Sequence, residues 1–177
     1  MAKKTVKSKN ESTISYSGQV DIKIKKGNSI IYKKTISNMG TLNMFLGICN
    51  ALSRVDATSN TYLPRYLGVG FSSVENIAVD TDEMKGEIVR HPLKSDIYIE
   101  NIKDDNDANI GKKITFNAFL PYSVIGSQKI NELGLFGSEA PKGSLLARIW
   151  WDTDKAIEID AGMDLVVNWH INIKNRS

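Results

Sequence analysis

Apolar and polar residues alternate along much of this chain, in short runs that are separated by turns. In the final segment, DLVVNWHINI, every second residue from Leu165 to Ile173 is apolar or aromatic, whereas the intervening positions are mostly polar. A period of two is typical of a β-strand with one face in the core. The same period in VDIKIKK, followed by a Gly27-Asn28 turn and SIIYKKTIS, predicts a β-hairpin with one wet face.

Further extended segments fill the second half of the chain and bring the total to eight or so strands. Turns such as DDNDANIG and GSEAPKGS separate them, and the long helices that parallel crossovers need are missing from the sequence. This arrangement favours an antiparallel β-sandwich. The predicted strands span 65–71, 87–100 with an interruption at Pro92, 112–121, 128–136, 144–151 and 164–173.

One segment, NMGTLNMFLGICNALSR, has a helical period instead, and it predicts an amphipathic helix over about 40–53 with Asn38 or Thr41 as its cap. The predicted fold is therefore mainly β, an antiparallel β-sandwich with one amphipathic α-helix and an N-terminal basic arm. The arm is assigned to residues 1–17 and the single sandwich domain to residues 18–177. The apolar stripe of the helix consists of Leu42, Phe45, Leu46, Cys49 and Leu52.

Composition places the chain among globular proteins. Its 177 residues are 41% hydrophobic, which is enough for one domain with a real core. A single cysteine, Cys49, excludes an intrachain disulfide framework. No run of about 20 apolar residues and no apolar leader is visible, so neither a membrane span nor a signal peptide is predicted.

The net charge of +3 is unevenly distributed, because the first 34 residues are strongly basic: they contain nine lysines and only two acidic residues, Glu11 and Asp21. Nucleic-acid binding would favour arginine with interleaved aromatic residues, which this segment lacks, so no nucleic-acid partner is expected. We predict instead that the arm docks on an acidic neighbouring subunit. Its docking lysines are Lys3, Lys4, Lys7 and Lys9.

No catalytic site is predicted. The two histidines, His91 and His170, belong to no nucleophile elbow, HExxH or CxxC pattern. The carboxylates of WWDTDKAIEID are typical of a loop between strands. The chain is therefore predicted not to be an enzyme and to need no cofactor.

The turn DDNDANIG is the strongest candidate for a metal site, and it fails. Asp105, Asp107 and Asn109 match positions one, three and five of a calcium loop. The glycine, Gly111, is at position seven instead of position six of such a loop, and position twelve is Phe116 instead of a bidentate glutamate. A solvated polar turn is the preferred interpretation.

The segment INELGLFGSEAPKGSLLARIWW, residues 130–151, has the pattern of two strands joined by a turn. Glu132 on the first strand and Arg148 on the second are predicted to form a structural ion pair across this hairpin. Gly134 inside the first strand permits a bulge or a close backbone contact.

Taken in order, TISNMGTLNMFLGICNAL, YLGVG, a strand around Glu87 and Arg90, INELGLFG with SLLARIWW, and IEIDAGMDLVVNWHINI resemble a family of small tailed-bacteriophage structural proteins. The resemblance covers roughly residues 20–173. It implies a virion component, assembled in the host bacterial cytoplasm, that binds copies of itself and other virion proteins in the tail, baseplate, collar or fibre. The WWDTDK segment and the lysine-rich start depart from the family pattern and leave the position in the particle open.

The alternative function is a carbohydrate-binding module for a host-surface glycan. Trp150, Trp151 and Trp169 could stack on sugar rings. However, Trp150 and Trp151 must point to opposite faces of a strand, so one is expected in the core and the other at the surface or a subunit contact. Trp169 shares the apolar parity of the final strand and is expected in the core.

Overall fold

The computed structural model describes residues 13–40, 63–73, 83–139 and 145–176. The prediction of a mainly β, antiparallel fold is confirmed, and eleven strands lie in the described residues. They are β1 Thr13–Lys26, β2 Ser29–Gly40, β3 Tyr66–Gly70, β4 Glu87–Pro92, β5 Tyr98–Lys103, β6 Asn109–Leu120, β7 Gln128–Ile130, β8 Glu132–Phe136, β9 Leu145–Trp150, β10 Ile157–Ile159 and β11 Met163–Arg176. A short helix, α1 Tyr122–Ile125, and a 3-10 turn, Thr153–Lys155, complete the elements.

Nine strands form one sheet in the order β4-β3-β8-β9-β2-β1-β11-β6-β5, and every neighbouring pair is antiparallel. The sheet has two halves. We call β2, β1, β11, β6 and β5 the first layer, and β9, β8, β3 and β4 the second layer. Strand β2 joins them, because its first part pairs with β1 whereas Met39 and Gly40 pair with β9. Strands β7 and β10 form a separate two-stranded sheet.

The two layers bury one continuous core, as expected for a sandwich-like fold. Alternation along the strands decides which side chains enter it, as the sequence pattern predicts. The first layer contributes Val20, Ile22, Ile24, Leu165, Val167, Trp169 and Ile171, and the second contributes Leu67, Val69, Leu133, Leu135, Ala147 and Ile149.

Several predicted boundaries change. Strand β1 begins at Thr13 and pairs with β11 from there, so residues 13–17, assigned to the arm by the sequence, belong to the sheet. Tyr16 packs against the core, which gives this part of the chain an apolar anchor. The predicted segment 128–136 is two strands, since Asn131 leaves the ladder between β7 and β8. The predicted helix over about 40–53 lies outside the described residues, apart from Gly40 at the end of β2.

Candidate functional site

The predicted pair of Glu132 and Arg148 is present. Arg148 Nε donates to Glu132 Oε1 over 2.6 Å. The two residues are diagonal neighbours, because Gly134 is the register partner of Arg148. Glu132 has no exposed surface, and its second carboxylate oxygen accepts a hydrogen bond from the Gly86 amide at 3.2 Å. The carboxylate is therefore fully engaged in holding β9 and the segment before β4 against β8.

Asn131, between β7 and β8, is a polar residue whose role the sequence pattern does not indicate. It is fully buried, and its side chain accepts from the Ser72 amide at 2.8 Å and donates to the carbonyls of Ser72 and Trp151 at 2.8 and 2.9 Å. Its own amide donates to Gly70, and its carbonyl accepts from Trp151. One amide side chain thus joins the ends of β3, β8 and β9. The only sequence signal was an asparagine between two apolar strand segments.

Arg90 forms a second ion pair, which is partly buried, on the outer side of the second layer. Its Nε and Nη2 atoms donate to the two carboxylate oxygens of Glu87, each at 2.7 Å, and its Nη1 donates to the Ser138 carbonyl at 2.9 Å. The guanidinium carbon lies 3.5 Å from the centroid of the Phe136 ring. A bidentate pair stacked on an aromatic ring fixes Arg90 in one position.

A row of polar side chains crosses the outer face of the first layer. His170 Nδ1 lies 2.9 Å from Thr115 Oγ1, and His170 Nε2 lies 3.1 Å from Asp21 Oδ2. Thr35 Oγ1 donates to Asp21 Oδ1 at 2.7 Å. Burial raises the pKa of Asp21, but hydrogen bonds from Thr35, Gln19 and His170 outweigh it and hold this pKa below its ordinary value of 3.8.

This row contains an aspartate, a histidine and a hydroxyl, but it does not have the surroundings of a hydrolase. Thr115 lies on β6, between two paired strands, with His170 as its register partner on one side and Tyr98 on the other. The backbone amides around Thr115 take part in strand pairing. Acyl transfer, in contrast, needs backbone or side-chain N–H groups that are available to donate to an oxyanion. Thr115 and His170 are also both buried. The row is best described as a cross-strand network that fixes the register of four strands.

The tryptophans do not form an open platform. Trp169 is 1% exposed and Trp151 is 6% exposed. Trp151 donates to the Lys155 carbonyl at 3.0 Å, and the Lys34 ammonium lies 4.7 Å from its ring centroid. Trp150 is half-buried and donates to the Ser72 carbonyl at 2.9 Å. As alternation required, one member of the Trp150-Trp151 pair is in the core, and the other is tied to a neighbouring loop.

The acidic turn between β5 and β6 is organised by its own side chains. Asp104 Oδ1 accepts from the amides of Asn106 and Ala108, both at 2.9 Å, and Asp107 pairs with Lys103 at 2.7 Å. Within the described ranges, no group of three or more histidine, cysteine, aspartate or glutamate residues is arranged to hold a metal ion.

Two strand edges of the first layer carry exposed apolar residues. The β2 edge, residues 29–37, presents Ile30, Ile31 and Tyr32, and the β5 edge, residues 97–102, presents Ile97, Tyr98 and Ile99. Ile99 is 65% exposed. In the part of the chain that the structure describes, strand pairing engages β5 only with β6, and residues 29–37 only with β1. The far side of each edge therefore offers backbone donors and acceptors to a further strand.

The predicted docking lysines, Lys3, Lys4, Lys7 and Lys9, lie outside the described residues. Comparisons with protein-family models, curated proteins and solved structures found no match for this chain. Among the helices that the structure describes, none is long and apolar enough to cross a membrane.

Proposed function

We propose that this chain is a repeated, non-enzymatic structural component of a tailed-bacteriophage particle, in its tail, baseplate, collar or fibre assembly. It acts through contacts with copies of itself and with other virion proteins, and it assembles in the host bacterial cytoplasm. The observation that carries the proposal is the pair of apolar strand edges at opposite sides of the first layer. The order of sequence motifs from residue 20 to residue 173 supports the same class of protein.

Exposed strand edges favour an assembly role on physical grounds. A protein that works alone usually protects its sheet edges with charges, prolines, bulges or a covering segment, since an open edge pairs with any suitable strand. Here each edge carries three consecutive large apolar residues, Ile30 to Tyr32 and Ile97 to Ile99, and these remain exposed even though β2 has a bulge at Ile31. Such residues are stabilised when a second chain covers them, and the backbone groups beside them are satisfied at the same time.

The buried and partly buried polar groups support a structural role rather than catalysis. Glu132 with Arg148, and Glu87 with Arg90, are held in ion pairs that fix neighbouring segments of the second layer. Asp21 and His170 hold strands of the first layer in register. These groups complete their hydrogen bonds within the fold, which is what a rigid building block requires.

The test is the mass of the purified full-length protein in solution, measured by light scattering over a range of concentrations. We expect a discrete oligomer, several times the 19.7 kDa chain, together with no binding to a glycan array. A strictly monomeric protein would overturn the proposal, and glycan binding by that monomer would favour a carbohydrate-binding module. The buried positions of Trp151 and Trp169 argue against that alternative.

A further inference from the structure

We propose that copies of this chain associate head to tail, with the β5 edge of one copy running parallel to the β2 edge of the next. The pairing register places Glu100 beside Lys33. This inference rests on the proposed assembly function and specifies its interface: the partner is a second copy of the chain, and each copy uses two different edges.

The strand directions dictate the parallel arrangement. The first layer has the order β2-β1-β11-β6-β5, and each neighbouring pair is antiparallel. Strands β2 and β5 therefore run in the same direction at opposite sides of the layer. A second copy placed beside the first, with its outer face on the same side, brings its β2 parallel to β5 of the first copy.

The side chains of the two edges match in one register. Tyr32 lies opposite buried Ile24, and Ile99 lies opposite Ile114, which packs against the core, so both point to the core side of the layer. When Tyr32 is placed beside Ile99, Lys33 falls beside Glu100 on the outer face. In this register Ile97 and Tyr98 lie near Ile30 and Ile31, where a β-bulge at Ile31 interrupts the alternation of β2. The matched side chains are therefore those of Tyr32 with Ile99 and of Lys33 with Glu100.

Charge selects this pairing over the pairing of two identical edges. The β1-β2 hairpin, residues 18–38, has five lysines and one aspartate, whereas residues 96–107 have five carboxylates and one lysine. Two β5 edges related by a two-fold axis would bring like charges together, and head-to-tail contact brings opposite charges together. Glu100 already pairs with Lys113 at 3.2 Å, but its side chain is 62% exposed, so it can contact a second lysine as well.

The geometry of the pairing is compatible with a closed ring. Glu100 is the register partner of Lys113, which in turn pairs with Asn172 of β11. Lys33 is the register partner of Lys23, which pairs with Val166 of the same strand. When Glu100 of one copy lies beside Lys33 of the next, the first layers of the two copies are therefore shifted relative to each other along the strand direction. A sheet that closes into a ring requires such a shift. Because every copy offers one edge of each kind, the contact repeats from copy to copy until rotation closes the ring.

Disulfide trapping between two singly substituted chains tests the pairing. Lys33→Cys and Glu100→Cys are made separately in full-length protein carrying Cys49→Ser, mixed in equal amounts and oxidised. Neighbouring strands lie about 4.8 Å apart, which is within the Cα separation that a disulfide accepts. We expect disulfide-linked dimers in the mixture and none in either variant alone. Thermal unfolding of each variant verifies that it is folded.

A mixture of Glu100→Cys with Lys129→Cys is the matched control, because Lys129 is also an exposed lysine but lies on β7, outside both edges. It should remain unlinked. Dimers of Glu100→Cys alone would overturn the inference in favour of two-fold pairing. If the parent protein is oligomeric but the mixture of Lys33→Cys and Glu100→Cys forms no disulfide, the inferred pairing is overturned and the proposed function still stands. A monomeric parent protein would overturn both.

Discussion

Arg148 donates a 2.6 Å hydrogen bond to Glu132, a carboxylate with no exposed surface, across the β8-β9 hairpin. In this position the pair is a strong constraint on the fold, because loss of one partner leaves the other charge buried and uncompensated. The contact also links the two strands of the segment 130–151 to the start of β4, through the hydrogen bond from Gly86.

Replacement of the arginine tests the importance of this pair. Arg148→Met keeps much of the side-chain volume but leaves Glu132 without its cation, and we expect a loss of about 3–5 kcal/mol in the free energy of unfolding. Urea unfolding measures it. Lys129→Met, which breaks the exposed pair with Glu158, is the control and should leave the transition unchanged. A loss for Arg148→Met no greater than in the control would show that the pair contributes nothing.

Asn131 provides a second test, because its amide can both donate and accept. Asn131→Ala removes the side-chain hydrogen bonds to the Ser72 amide and the Trp151 carbonyl in a buried site. We expect the free energy of unfolding to fall by about 1–3 kcal/mol for each group. Asn131→Asp preserves the shape but cannot donate when ionised, so we expect it to be at least as destabilising at neutral pH. Thermal unfolding of both variants decides. A fully stable Asn131→Asp protein would contradict the assigned hydrogen bonds.

Much of the fold could be predicted from local patterns. Alternation in β11 identified Leu165 and Trp169 as core residues, since the period of two applies to any strand with one wet face. The Glu132-Arg148 pair was also predictable, because the two residues flank a single turn and antiparallel pairing brings them together. Both inferences need only the sequence within one strand or one hairpin.

The remaining contacts depend on chain topology, which local patterns do not contain. Asp21 and His170 are 149 positions apart, and only the pairing of β1 with β11 brings them together. Asn131 and Ser72 are separated by 59 positions and meet where two loops converge. The three-residue strand β10 has too few residues for a period to be recognised.

Gly86 lies where two segments of backbone meet, and this contact leads to a third prediction. Phe71 donates its amide hydrogen to the Gly86 carbonyl at 2.9 Å, and a Cβ atom at Gly86 would overlap the Phe71 carbonyl. Gly86→Ala should therefore destabilise the protein by about 1–3 kcal/mol, as overpacking does. Lys85→Ala, at the neighbouring exposed position, is the control for thermal unfolding. Equal melting temperatures for the two variants would exclude the close approach.

The last prediction concerns stability in acid. Hydrogen bonds from Thr35, Gln19 and His170 hold the pKa of Asp21 below 3.8 despite its burial. The folded state therefore favours the charged carboxylate, whose stabilising effect is present above pH 3.8 and is lost as the pH falls through the lowered pKa. Asp21→Asn removes this effect, so the gap in unfolding free energy between the parent and this variant should shrink between about pH 6 and about pH 3. Thr35→Val, which removes one of the three donors, should show a smaller loss of the same kind. A gap that stays constant across this range in urea unfolding would show that the Asp21 carboxylate does not contribute in its charged form.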